Sequence, residues 1–240
     1  MGTAYAGFQI QENANTIQAE VEKAFRIYFR KPIELTGSSR TDAGVHALQN
    51  YFHFDEGDIR EQAFAEGAYH LNAILPGDIV IRKIFEVNEN AHCRFDAVSR
   101  TYHYSIYNKK DPFIRDRAYY YPFELDIIKL NEAASIVSGE IDFEAFAKKN
   151  NQVHTNNCNI LQSVWVQAGS ELQYIVTGNR FLRGMVRGLT GSMLKVGRGK
   201  MTKEEFAGIF SNTDITKVDF SVPAHGLALY AVNFAEMRAI

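Results

Sequence analysis

The segment FLRGMVRGLTGSMLKVG, residues 181–197, restricts the fold more than any other stretch of the chain. At 100° per residue, Phe181, Leu182, Met185, Val186, Leu189 and Met193 form one continuous apolar stripe on a helix. Gly184, Gly188 and Gly191 share a second face. Each glycine costs a helix about 1 kcal/mol relative to alanine, so three on one face imply that another backbone approaches closely there. Arg183 and Arg187 fall on a third face, one turn apart, at the edge of the stripe. An arginine on that face either lies over apolar surface or is aimed at an acceptor.

The elements around this helix are mixed. NTIQAEVEKAFRIYF, from Asn15, sets Ile17, Val21, Ala24, Phe25 and Tyr28 at helical spacing, with Asn15 as the expected cap and Gln18 three residues on. Pro32 stops that helix. PIELT and NYFHF read as short strands, residues 59–75 as a helix closed by Pro76-Gly77, and DIVIRKIFEV as a further strand. RTYHYSIYN, from Arg100, alternates as a strand does. LDIIKLNEAASIVSG, from Leu125, is amphipathic, and LQSVWVQAGSELQYIVTG has the form of a hairpin turning at Gly169-Ser170. Thr202 with Glu205 forms a capping box for TKEEFAGIF, and LALYAVNF reads as a last strand. Helices interspersed with antiparallel pairs predict an α+β fold rather than a doubly wound α/β sheet. The composition boundary at residues 88–99 divides the chain into two such halves, 1–95 and 96–240.

With 240 residues, 46% of them hydrophobic, the chain can bury a sizeable core. Its apolar runs fall short of the roughly 20 residues that span a bilayer, and no secretory leader opens it, so a cytoplasmic protein without a membrane partner is expected. Cys93 and Cys158 form no CxxC pair and have no histidine at ligand spacing, which predicts neither a disulfide framework nor a metal site. The formal net charge of −2 hides an asymmetry. Between residues 179 and 203 lie Arg180, Arg183, Arg187, Lys195, Arg198, Lys200 and Lys203 with no acid, a local charge of +7 that leaves −9 for the remainder. Such a cluster is either a solvated face or a surface that follows phosphates.

Between the two short strands lies SSRTDAGVHA, residues 38–47. Arg40 stands two residues before Asp42 among small and hydroxylated side chains, a composition that makes a shaped loop rather than a core or a solvated helix. By itself, Asp42 reads as a turn residue ahead of Gly44, and Tyr102 as an inward strand aromatic.

Several stretches together carry a resemblance. YAGFQIQ at Tyr5, SSRTDAGVHA at Ser38, LNAILPGDIVI at Leu71, RFDAVSRTYHYSIYN at Arg94, the helix at Phe181 and PAHGLALYAV at Pro223 are similar, in order and over almost the whole chain, to the tRNA pseudouridine synthase A family. The resemblance implies two ferredoxin-like α+β halves whose antiparallel sheets join around a basic cleft. It also implies a cofactor-free and metal-free isomerase of uridine in the anticodon stem-loop of tRNA, around positions 38 to 40, acting as a homodimer. On that pattern Asp42 is the catalytic aspartate, Arg40 its neighbour in the same motif, Tyr102 the active-site tyrosine, and Arg187 the helix arginine that pairs with the aspartate. Arg180 and Arg183 are then substrate-binding cations. Three features depart from the pattern. Relatives carry a strand and a YDG-like turn ahead of the position of Thr3, so either the start lies upstream or a first strand is missing. Ser39 stands where glycine is common, and Gln49-Asn50 replaces a usual Gly-Gln. Two rival functions keep the same residues: an RNA-binding protein without turnover, and a nucleoside hydrolase with an aspartate nucleophile.

Overall fold

Helix α1 (Ile17–Phe29) turns Val21, Ala24 and Phe25 inward, the i, i+3, i+4 spacing of one helix face. Its cap is Thr16, one residue beyond the expected Asn15: the backbone there is extended, and the hydroxyl accepts from Ala19 N at 3.4 Å. Asn15 instead uses its carbonyl to accept from Ala6 N, tying the opening segment to the helix. The helix ends at Arg30, whose φ of 58° is left-handed, two residues before Pro32. The computed structural model describes residues 1–55, 61–148 and 155–235. The chain divides into two compact units, Met1–Val98 with Val232–Ile240, and Ser99–Ala231.

In the first unit, β1 (Thr36–Gly37) pairs antiparallel with β3 (Phe52–His53), and β2 (His46–Ala47) lies within the loop between them. Among the described residues β1 is the first strand, and residues 1–12 run as turns and bends. Helix α2 (Glu61–Ile74) packs on α1, and the core is built from Val21, Phe25, Ile33, Leu35, Leu71 and Leu75. The expected start of α2 at residue 59 lies outside the described residues.

The strand expected at DIVIRKIFEV does not form. Ile79, Ile81 and Ile84 do pack against the core, but residues 79–88 have no ladder partner among the described residues. A side chain takes the partner's place. Asn72 of α2 accepts from Ile81 N at 2.7 Å and donates to Ile81 O at 2.8 Å, closing the two-bond ring that a neighbouring strand would close.

In the second unit the strand order is β8-β4-β7-β6, with β4 (Ala97–Tyr107), β6 (Ile160–Ala168), β7 (Glu171–Gly178) and β8 (Leu227–Phe234). β6 and β7 form the expected hairpin, Ala168 opposite Glu171, and Gly169 at the turn has a left-handed φ of 60°. β5 (Tyr119–Tyr120) runs parallel to the end of β4, so the sheet is mixed rather than wholly antiparallel. Edge strand β6 is protected by an asparagine in the manner of Ile81: Asn131 of α3 (Ile127–Gly139) accepts from Trp165 N at 2.9 Å and donates to Trp165 O at 3.0 Å.

Trp165, Tyr104 and Tyr174 are fully buried in the core of this unit, with α3 against β6 and against α4 (Met185–Gly197). Helix α5 (Lys203–Asn212) opens on the expected capping box of Thr202 and Glu205. Of the thirteen residues of α4, all but Arg187 and Lys195 are buried. The helix therefore presents no basic face, and the cations of residues 180–203 sit mostly at its ends. The observed architecture is α+β, with five α-helices and no closed barrel among the described residues.

Candidate active site

The loop carrying Asp42 is held from both sides within the first unit. Ser38 N donates to Tyr51 O at 2.8 Å, continuing the β1–β3 pairing by one step. Asn50 then binds the loop by its side chain. Its Oδ1 accepts from Ser38 Oγ at 2.7 Å and from Tyr51 N at 3.0 Å, while Nδ2 donates to Ser39 O at 3.1 Å. Gln49 accepts from Val232 N and donates to Tyr51 Oη. The replacement of Gly-Gln by Gln49-Asn50 thus supplies much of the loop's support, which sequence reasoning treated only as a departure.

The opening segment closes the other side. Phe8 N donates to Thr41 O at 3.0 Å and Gly44 N to Tyr5 O at 3.2 Å, and Gly2 N donates to Nδ1 of buried His46 at 2.9 Å. Gly7 permits this approach: its φ is 104°, and a β-carbon there would sit 2.8 Å from Thr41 O. Tyr5 Oη donates to Asp78 at 2.7 Å, and burial followed by that carboxylate pushes the phenol far above its ordinary range. Asp42 opens a turn in which Val45 N donates to its carbonyl at 3.1 Å, with Gly44 at a φ of 77°. Its side chain is half-buried, and Arg40 is exposed.

Ser39 shows a cost of this arrangement. It is 7% exposed, and among the described residues its hydroxyl is buried without a hydrogen-bond partner. A buried unsatisfied polar group costs about 1–3 kcal/mol. Ser39→Ala is therefore expected to raise the stability of the protein by about 1 kcal/mol, read as a higher urea midpoint at unchanged slope.

The remaining candidates lie in the second unit. Tyr102 is on β4 opposite Val176 of β7, half-buried, with its ring edge-on to Phe181 at 5.1 Å between centroids. Arg187 lies in the first turn of α4. Its Nε donates to Val222 O at 2.9 Å, and Nη2 to Val222 O at 2.6 Å and Phe220 O at 3.4 Å. Three hydrogen bonds to rigid carbonyls fix the plane of the guanidinium, and the donors on Nη1 are not used by them.

Those carbonyls are in reach because of the glycine face. A β-carbon on Gly191 would lie 2.2 Å from Asp219 O, and one on Gly188 would lie 2.8 Å from the Phe220 ring. The close backbone approach expected from the sequence is thus the approach of residues 218–222. Ser192 Oγ accepts from Asp219 N at 3.1 Å and fastens the same segment.

Arg183 is placed differently from the expectation. It precedes α4 instead of sharing a face with Arg187, because Gly184 has a left-handed φ of 75° and serves as the helix cap. Arg183 is exposed, and its carbonyl accepts from Lys148 N at 3.0 Å. Arg180, half-buried just past β7, lies close enough to Cys158 to oppose the effect of burial, which still pushes that thiol up to about 11. Asp42 and Arg40 share one loop of the first unit, and Tyr102, Arg180, Arg183 and Arg187 stand on adjoining elements of the second. Among the described residues no cluster of three metal-ligating side chains is present, and no helix is long and apolar enough to cross a membrane.

The family model described as tRNA pseudouridine synthase matches residues 1–96 and 133–235. The chain is 42% identical to tRNA pseudouridine synthase A of Parabacteroides distasonis, over 98% of this chain and 93% of the relative. It is 40% identical to that of Porphyromonas gingivalis, over 97% and 93%, and 39% identical to that of Staphylococcus saprophyticus, over 95% and 85%. The two matched blocks contain the Asp42 loop and the Arg187 helix, and the chain belongs to the tRNA pseudouridine synthase family.

Proposed function

We propose that the chain isomerises uridine to pseudouridine in the anticodon stem-loop of tRNA, around positions 38 to 40, with Asp42 as the reacting carboxylate and no cofactor. Its two halves, 1–95 and 96–240, would supply the carboxylate and the arginine respectively. The observation that carries the reading is the Asp42 loop, pinned through Asn50 on one flank and the opening segment on the other, in a chain of this family.

The reaction breaks the bond from N1 to C1′, turns the uracil, joins C5 to C1′ and returns the C5 proton to solvent, while N1 regains a proton. Atoms balance without a co-substrate. A carboxylate suits the first step, either by attacking the sugar carbon or by removing a sugar proton. Arg187, with its plane fixed by the carbonyls of residues 220 and 222, is suited to hold that carboxylate charged and oriented once water is excluded. A stacked uridine is out of reach, so the base must be flipped at a cost of a few kcal/mol. Arg40, exposed and planar, fills the vacated stack or holds the backbone. Tyr102 receives the uracil against its ring, and Arg180 and Arg183 meet phosphates. The protein acts in the cytoplasm as a homodimer.

Transfer RNA labelled with tritium at uracil C5 tests this reading. Tritium is expected in the solvent with the base still attached to the RNA. Release of free uracil would identify a hydrolase, and binding without release an RNA-binding protein. Mapping the modified positions then tests the stem-loop assignment.

A further inference from the structure

The second unit holds a cleft of about 710 Å³ that the proposed chemistry does not use. One wall is aromatic. Tyr119, Tyr121 and Phe123 alternate along an extended segment and so share a side, with ring centroids 5.5 and 5.2 Å apart. Arg198, just past the end of α4, lies with its guanidinium carbon 3.6 Å from the Phe123 centroid and 5.9 Å from that of Tyr121. A guanidinium held by its face keeps its N–H edge for a planar acceptor.

Lys195, Lys200 and Lys217 also line the cleft, with Asp219 the one acid among its lining residues. That acid is already answered. Burial pushes the Asp219 carboxyl up, but hydrogen bonds from Ser221 at 2.9 Å and the Lys195 ammonium at 3.5 Å bring it below its ordinary value. Arg198, Lys200 and Lys217 have no carboxylate at ion-pair distance among the described residues. The lining therefore carries three cations outside any ion pair among the described residues, Arg198 lying on the aromatic wall and Lys217 near enough to Asp214 to add to the lowering of that carboxyl by its hydrogen bonds from Thr216. It also includes Val222, whose carbonyl fixes Arg187.

We propose that this cleft is a second phosphate-binding subsite, which takes the backbone of the tRNA away from the reacting uridine and lays it along residues 219–222. The inference rests on the reading of tRNA as substrate and goes beyond it by naming where the strand runs. Phosphodiesters suit the site better than a single free phosphate, because the cations are spread along an open cleft and the aromatic wall offers a face for ribose or base.

The test uses the full chain with Lys200→Gln and Lys217→Gln together, two surface lysines outside the proposed chemistry. Affinity for unmodified tRNA is measured as a function of potassium chloride. At low salt the dissociation constant is expected to rise about tenfold, and the slope of log affinity against log salt to fall by about 1.4 to 1.8, since each of the two lost phosphate contacts removes about 0.7–0.9. The single-turnover rate at saturating tRNA is expected to stay unchanged. An unchanged salt slope overturns the proposal, and so does an unchanged slope accompanied by lost binding of AMP or inorganic pyrophosphate, which would make the cleft a site for small phosphates. If the unsubstituted protein itself fails to bind tRNA, the substrate reading falls, and that result is distinct from a failure of the subsite alone.

Discussion

Asp42→Asn is expected to lower the rate of tritium release by about 10⁴-fold, equivalent to about 5.5 kcal/mol of transition-state stabilisation. The substitution is nearly isosteric, and the turn's hydrogen bond from Val45 N goes to the backbone carbonyl of residue 42, which asparagine retains. Asparagine also tolerates turn positions as well as aspartate does. The loop should therefore keep its shape, because Asn50 and the opening segment hold it through other atoms. What disappears is the charge, and with it, on the proposed reading, the group that attacks the sugar carbon or removes a sugar proton. Affinity for tRNA is expected to stay within roughly tenfold, about 1.4 kcal/mol, since phosphates dominate binding. A variant that turns over at the normal rate removes Asp42 from the chemistry. A variant that loses binding and turnover together would assign the residue to the loop's architecture instead.

The fold was legible where local pattern decides it and obscure where a partner decides it. The β6–β7 hairpin, the capping box at Thr202 and the last strand all follow from residues within a few positions of each other. DIVIRKIFEV reads as a strand, yet pairing is a property of two segments, and here a helix side chain, Asn72, occupies the partner's position. The same device protects β6 through Asn131. Neither asparagine announces itself in the sequence, because an amide on a helix looks like any other polar residue there.

Charge was obscured for a related reason. The run of seven cations counts as +7 in the sequence, but three of them are engaged inside the second unit. Arg187 serves the carbonyls of residues 220 and 222, Lys195 faces Asp219, and Arg198 lies on Phe123. A summed charge cannot separate an arginine aimed by its surroundings from one that merely solvates a face. The left-handed backbone at Gly184 was also hidden, since a glycine can continue a helix or cap it, and only the second choice puts Arg183 outside α4.

Gly191→Ala is expected to destabilise the protein by about 2–3 kcal/mol, although alanine is the better helix former by about 1 kcal/mol. The new methyl group would meet a backbone oxygen, Asp219 O, at 2.2 Å, and backbone cannot move aside as the end of a flexible side chain can. Residues 218–222 must then lift from α4. That movement breaks the hydrogen bond from Asp219 N to Ser192 and withdraws the acceptors of Arg187, so turnover should fall along with stability. For a chain of this size the loss corresponds to a fall of about 5–10 °C in Tm. Gly208→Ala in α5 is the matched control, because a β-carbon there meets only Asn212 Nδ2 at an ordinary 3.7 Å, and it should stabilise by about 1 kcal/mol. If both substitutions stabilise alike, then helix propensity alone governs position 191, and the 218–222 segment is not what holds the arginine in place.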